Sequence, residues 1–235
     1  MEASFTSAPE AYHFNLHSTN IWHIVRRAAH IGLLVIGLGL LACDAQEKPT
    51  VSLYLATQRG DLDQLERHLH WQSAINQPFP DGNYPLHSVA AQGRISLLQA
   101  LLSHQAKLEV RNALERTPLE VAILTGHTQA ADLFIAAGAN LSATALLITA
   151  ATENTQDRDI VRYLVQHGAN LEAKNSVGDT ALLIAIRQQN HRLVAHLLAQ
   201  GANVNAHDAD GHSALQLAQA QSIIQQSLRR YGARE

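Results

Sequence analysis

Arg116-Thr117-Pro118-Leu119-Glu120-Val121-Ala122, then Gly126-His127, then Gly138-Ala139-Asn140, is the stretch whose reading decides the fold. Thr117 suits a helix N-cap, because its hydroxyl accepts a backbone N–H from the first turn. Pro118 then falls at the first helical position, where its missing N–H costs nothing. Gly126 supplies the left-handed turn that closes a short helix. A second helix follows and ends at Gly138. The spacing therefore predicts a helix pair followed by an extended connection.

The same pattern recurs along the chain. Tyr84-Pro85-Leu86-His87 stands 33 residues before Thr117, and Thr180-Ala181-Leu182 stands 33 before Ser213-Ala214-Leu215. Counting back from Tyr84 gives Val51, and Gly60 then aligns with Gly93 and Gly126. A second marker follows the anchors at Gly138-Ala139-Asn140, Gly168-Ala169-Asn170 and Gly201-Ala202-Asn203, with Gln105-Ala106 degenerate. Apolar residues at helical spacing mark the second helix, as Ile95, Leu98, Leu101 and Leu102 in one unit and Leu193, Val194, Leu197 and Leu198 in another. Asn203 to Ala206 reads as extended chain, and Asp210-Gly211 as its turn. One such pair cannot bury its apolar face, whereas a stack of pairs makes a continuous core.

These residues resemble the ankyrin repeat, over residue 51 to about residue 230 in six units, the first and last acting as caps. The resemblance implies an all-α ankyrin-repeat solenoid of helix-turn-helix units with β-hairpin fingers, spanning residues 51–235. It also implies a scaffold that binds another protein, not an enzyme, through finger tips and first helices. That mapping selects Arg59, Arg111, Leu114, Arg116, Leu124, Lys174, Val177, Arg187, His207 and His212 as partner-binding residues. The five cations among them lie along one side if the mapping holds, around an apolar centre at Leu114 and Leu124.

Two departures from the period matter. Thr117 to Thr144, the fourth anchor, is 27 residues, so six are missing, and only Asn140 to Ala143 separate Ala139 from Thr144. Thr144 to Thr180 is 36, so three are added, near Thr152 to Asp159. A truncated finger should make the interface between units three and four the weakest in the stack.

Ahead of the repeats, Arg26-Arg27 precedes the apolar run Ile31 to Ala42 and then Cys43, the sole cysteine. The run is shorter than the ~20 residues a membrane-spanning helix needs and suits the core of a secretory signal. Leu40-Leu41-Ala42-Cys43 resembles the lipobox of bacterial lipoproteins, in which the cysteine is acylated and becomes the first residue. Leu41 departs from the small residue usual there. Asp44 resembles a signal for inner-membrane retention in enteric-type lipoproteins. The expected organisation is an atypical leader over 1–24, with translation starting at Val25, a signal peptide over 25–42, and a lipidated cysteine with a short tether over 43–50. The resemblance places the protein on the periplasmic side of a bacterial membrane, lipid-anchored.

Composition closes off other classes. Net charge is −3, which offers no basic excess for nucleic acid. One cysteine excludes an intrachain disulfide and a multi-cysteine zinc site. No phosphate loop, nucleophile elbow or His-Glu-x-x-His motif is present, so neither a catalytic site nor a cofactor is expected. Among fourteen histidines, His87 and His127 fall at framework positions, and His68 and His70 point to different sides of a helix. His207 and His212 flank a finger turn beside Asp208 and Asp210 and give the rival reading, a metal-binding or metal-delivery lipoprotein. Two histidines fall short of a four-ligand structural site, so no metal is expected.

Overall fold

Thr117 caps its helix as its position predicts. Its hydroxyl accepts the Glu120 N–H, and the Glu120 carboxylate accepts the Thr117 N–H in return. The computed structural model describes residues 47–154 and 157–234. The apolar run Ile31 to Ala42, read above as a signal, and Cys43 lie outside the described residues.

Among the described residues, twelve helices form six antiparallel pairs. They are α1 (Leu53–Arg59) and α2 (Leu62–His70), α3 (Pro85–Ala91) and α4 (Ile95–Ser103), α5 (Pro118–Leu124) and α6 (Thr128–Ala136), α7 (Ala143–Thr152) and α8 (Arg158–Gln166), α9 (Ala181–Arg187) and α10 (His191–Ala199), α11 (Ala214–Leu217) and α12 (Ser222–Arg230). One hydrophobic core runs from Leu65 to Leu228. Two first helices are covered along nearly their whole length: Pro85 to Ala90 of α3 and Ala181 to Ile186 of α9 are all buried. Leu193, Val194, Leu197 and Leu198 are buried as the helical spacing requires.

The fingers are real but minimal. Among the described residues no β-ladder forms, and hairpin pairing is reduced to the single bridges Lys174–Thr180 and His207–Ser213. What closes each turn is an Asx side chain. Asn112 Oδ1 accepts the N–H of Leu114 and Arg116, Asn175 Oδ1 those of Val177 and Asp179, and Asp208 Oδ1 those of Asp210 and His212. Neighbouring fingers touch at their tips. A Cβ on Gly82 would stand 2.8 Å from Ala113 Cβ, and one on Gly178 2.9 Å from Ala209 Cβ, so glycine permits both approaches.

The fourth unit departs from its expected start. Thr144 is not an N-cap. The helix begins at Ala143, Ser142 stands at the cap without a side-chain bond, and Thr144 lies inside the first turn. Its hydroxyl instead accepts the Asn170 N–H at 2.9 Å. In the regular fingers that service comes from the finger itself: Asn76 for Lys107, Glu109 for Asn140, Glu172 for Asn203 and Asn205 for Arg234. Thr144 replaces the missing finger's acceptor. The added residues also lengthen α7 to ten residues, against seven in α3, α5 and α9.

The segment read as a tether is partly docked. Glu47 pairs with Arg67 at 2.7 Å, Lys48 lies over the Trp71 ring at 5.2 Å, and Thr50 N–H donates to Gln64 Oε1.

Candidate protein-binding site

The first helices and fingers carry the residues selected from sequence, and the structure divides them into three groups. Leu114 and Val177 stand on finger tips, 68% and 65% exposed. They are the two apolar side chains that the fingers hold most fully in solvent. Their exposure follows from turn geometry, since each is two residues past the asparagine that closes its turn. Arg59 and Lys174 are also exposed, and the Lys174 ammonium donates to the His207 carbonyl at 3.3 Å.

A second group is engaged within the fold. Arg187 spans two fingers, with Asp179 at 2.9 Å and Asp208 at 2.7 Å. Both acids are buried, so their charges need this partner. Arg116 pairs with Glu153, linking units three and four. Arg111 donates to the Glu115 carbonyl in its own turn and lies 3.9 Å from Glu120. A uniform row of free cations is therefore not what the fold presents, because the fingers consume part of it.

The third group needs correction. Leu124 is half-buried and packs on the core, so the apolar centre expected at Leu114 and Leu124 loses its second member. The expected register placed Leu124 on the solvent side, but as the last residue of α5 it packs against the core and is only partly exposed. His207 and His212 do not face each other across the turn. His207 bridges to Ser213, while His212 Nδ1 lies 3.3 Å from Asp208 Oδ2. Asp208, Asp210 and His212 bring ligand atoms within 4.8 Å of one another, without His207. Asp208 already takes two backbone N–H groups and the Arg187 guanidinium. Burial works to raise its carboxyl, but the His212 and Asp210 contacts hold it below its usual value. A guanidinium thus occupies the place a cation would take.

The framework histidines behave as read. His87 accepts the Tyr84 N–H and reaches the Arg116 carbonyl at 2.8 Å, and His127 reaches the Ala91 carbonyl at 3.1 Å. Together they knit units two and three. Burial lowers the His87 pKa below 6.5, against opposing effects of the Arg116 carbonyl and Asp81. His68 is buried and His70 exposed.

One feature lay outside the sequence reading. A cavity of about 780 Å³ opens beside the start of α7, between Leu141, Ile148, His167 and the finger strand at Lys174. Its signal in the sequence is the six-residue deletion itself.

This arrangement defines a class: a solenoid of helix pairs that presents one ridge of fingers and short helices to a partner. The ankyrin-repeat family, described as ankyrin repeats in three copies, matches residues 53–145 and 146–227, and the chain belongs to it. Ankyrin repeats mediate protein–protein interaction, and the fold is typically a non-enzymatic interaction module.

The chain is similar to the transient receptor potential cation channel subfamily A member 1 homolog of Caenorhabditis elegans, with 27% identity over 63% of the chain. It is also similar to a probable E3 ubiquitin-protein ligase of Oryza sativa subsp. japonica, with 30% identity over 43% of the chain. The matched regions span only 12% and 23% of those proteins. Solved structures align more completely. A chain of the complex between a predatory endopeptidase and an immunity protein of Bdellovibrio bacteriovorus aligns with TM-score 0.61 and 24% identity, over 78% of this chain and 99% of that one. An ankyrin repeat domain of Acinetobacter baumannii aligns with TM-score 0.60 and 26% identity, over 77% and 98%.

Proposed function

We propose that the protein is a lipid-anchored ankyrin module that binds an envelope protein on the periplasmic side of a bacterial membrane and neutralises or protects it. The observation that carries the binding reading is the pair of exposed apolar tips, Leu114 and Val177, on otherwise polar fingers. An apolar side chain held out by a braced turn loses little entropy on docking and gains from desolvation. The alignment with a chain from an immunity complex supports the choice of an envelope enzyme or toxin as partner. Leu40-Leu41-Ala42-Cys43 supports the anchor, and Asp44 the inner membrane.

The docked residues from Glu47 onward shorten the reach of such an anchor. Four chain steps separate Cys43 from Glu47, which span at most about 14 Å. The first helix pair would therefore ride close to the lipid surface, and a partner must meet the fingers there.

Mass spectrometry of the mature N-terminus is expected to find acylated Cys43, and an unmodified chain starting at Met1 would reject the anchor. A partner captured from membranes by the wild-type chain should be lost from the Leu114→Ser, Val177→Ser double variant at an unchanged melting midpoint. A true hot spot costs about 2 kcal/mol or more on truncation. Undiminished capture would move the interface off the finger tips.

A further inference from the structure

We propose that the outer end of the first helix pair, centred on Trp71, docks into the headgroup layer of the bilayer and so fixes which end of the stack faces the membrane. This rests on the lipid-anchor reading above and specifies which side chains meet the lipid.

The backbone holds Trp71 at the rim of the stack. It follows the last residue of α2, Gln72 takes a left-handed φ of 53°, and the Ser73 N–H returns to the His68 carbonyl at 2.9 Å. That closure ends the helix and leaves the indole 48% exposed, the most exposed aromatic side chain among the described residues. α1 runs antiparallel to α2, so its start lies at the same end. Tyr54 stands there, 39% exposed, with its ring edge-on to Phe79 at 5.1 Å. The terminal unit of a repeat array ordinarily turns a polar outer face to solvent. Trp and Tyr are the side chains that gather at membrane–water interfaces, where the ring leaves water and its polar atom stays wet.

The chain leading in from Cys43 selects a lipid surface as the occupant. Residues 47–51 lie along α2. Glu47 pairs with Arg67 at 2.7 Å and Lys48 lies over the Trp71 ring at 5.2 Å. Thr50 N–H donates to Gln64 Oε1 at 2.8 Å, and His68 Nε2 donates to the Val51 carbonyl at 2.8 Å. Five chain steps separate Cys43 from Lys48, which span at most about 18 Å. An acyl chain on Cys43 buries itself in hydrocarbon, and that reach keeps the Lys48–Trp71 pair beside the bilayer. Ile223 and Tyr231 are as exposed on the last helix pair, but they stand at the opposite end of the stack from the anchor. Charge adds little to the attraction. Residues 47–72 hold three Lys or Arg and four carboxylates, and Arg67 is shared by Glu47 and Asp63. Burial of the rings therefore drives the docking, and a zwitterionic surface suffices.

The test reads Trp71 by fluorescence in the full chain carrying Trp22→Phe, purified from bacterial membranes and reconstituted in phosphatidylcholine vesicles. Lipid brominated near the headgroup should quench Trp71 more than lipid brominated at the chain ends, and high salt should leave that quenching unchanged. In the same background, Trp71→Phe with Tyr231→Trp moves the reporter to the far end of the stack, where emission should be that of an indole in water and neither lipid should quench. Acylated Cys43 with an unquenched Trp71 would overturn the docking and leave the anchor standing. Unmodified Cys43 in the same sample, read by mass spectrometry, would overturn the anchor and the docking with it. Equal quenching at both ends would mean that the stack lies along the membrane and would overturn an end-on contact. Loss of quenching in high salt would overturn docking by ring burial. A change in Trp71 emission seen only at high protein-to-lipid ratio would assign the face to a second copy of the chain and overturn a lipid occupant.

Discussion

Units five and six are joined by a full finger, whereas units three and four are joined by four residues. The finger at Asn203 to Ser213 closes its turn through Asp208 and ties itself to the previous finger through Arg187. The short connection at Asn140 to Ala143 has no tip to tie. The helices answer in kind. At the other four junctions first helices pack on first helices and second on second, but α5 with α7 and α6 with α8 approach each other least. Side-chain bridges cross there instead. Arg116 pairs with Glu153, and the Tyr163 hydroxyl donates to Asp132 at 2.7 Å. Burial and the Asp132 carboxylate push the Tyr163 pKa well up, so the bridge keeps its proton at all working pH. A stack of this kind is stable roughly as a sum of unit and interface terms. The core stays continuous from Leu65 to Leu228, but the missing finger is expected to weaken one interface, so that units one to three and units four to six would open as separate blocks.

The largest test of that division is a core cavity in one block. Leu197 is fully buried on α10, and Leu197→Ala should cost about 2–5 kcal/mol. Urea melts should show the second block unfolding early by backbone circular dichroism, while fluorescence of Trp71 on the first block keeps its wild-type midpoint. Equal loss in both signals would mean that the short connection couples the blocks fully.

Acid gives a second handle on one block alone. His87 has a folded pKa below 6.5, so the unfolded chain binds its proton more readily. Its contribution is complete above about pH 6.5 and is lost as pH falls below that, by at most about 1.4 kcal/mol per unit. The Trp71 melting midpoint should fall between pH 7.5 and 5.5 and flatten in His87→Gln. An unchanged slope in that variant would place the sensitivity elsewhere.

Much of this was readable from residues and some was not. Thr117, Pro118 and Gly126 specify their helix and its turn locally, so the fold followed from them. Leu114 and Val177 were readable because the ankyrin resemblance places them on finger tips, and there they are 68% and 65% exposed. Leu124 ends the first helix of unit three and Thr144 falls one residue inside the first helix of unit four, and at a helix end the local pattern does not fix which way a side chain faces. The pairing of Arg187 with two acids 8 residues before and 21 after it is tertiary, so composition could not separate it from a free cation. The cavity beside α7 was legible only as a missing length, because a deletion gives no residues to read.

The bridges across the short connection should have smaller effects. Tyr163→Phe removes one hydrogen bond and leaves Asp132 in solvent, which should weaken the coupling between blocks by about 1 kcal/mol. Arg116→Ala breaks a partly exposed ion pair and should cost under about 1 kcal/mol. If the two changes together leave the cooperativity of the urea melt untouched, the bridges are bystanders and the core alone joins the blocks.

The division itself is read most directly by native-state hydrogen exchange with mass spectrometry, in low urea, on the intact chain. The helices from Ala143 to Arg230 are expected to open as one unit with a lower free energy than those from Leu53 to Ala136, the boundary falling at Asn140 to Ala143. A single opening free energy shared by helices on both sides of that connection would contradict it.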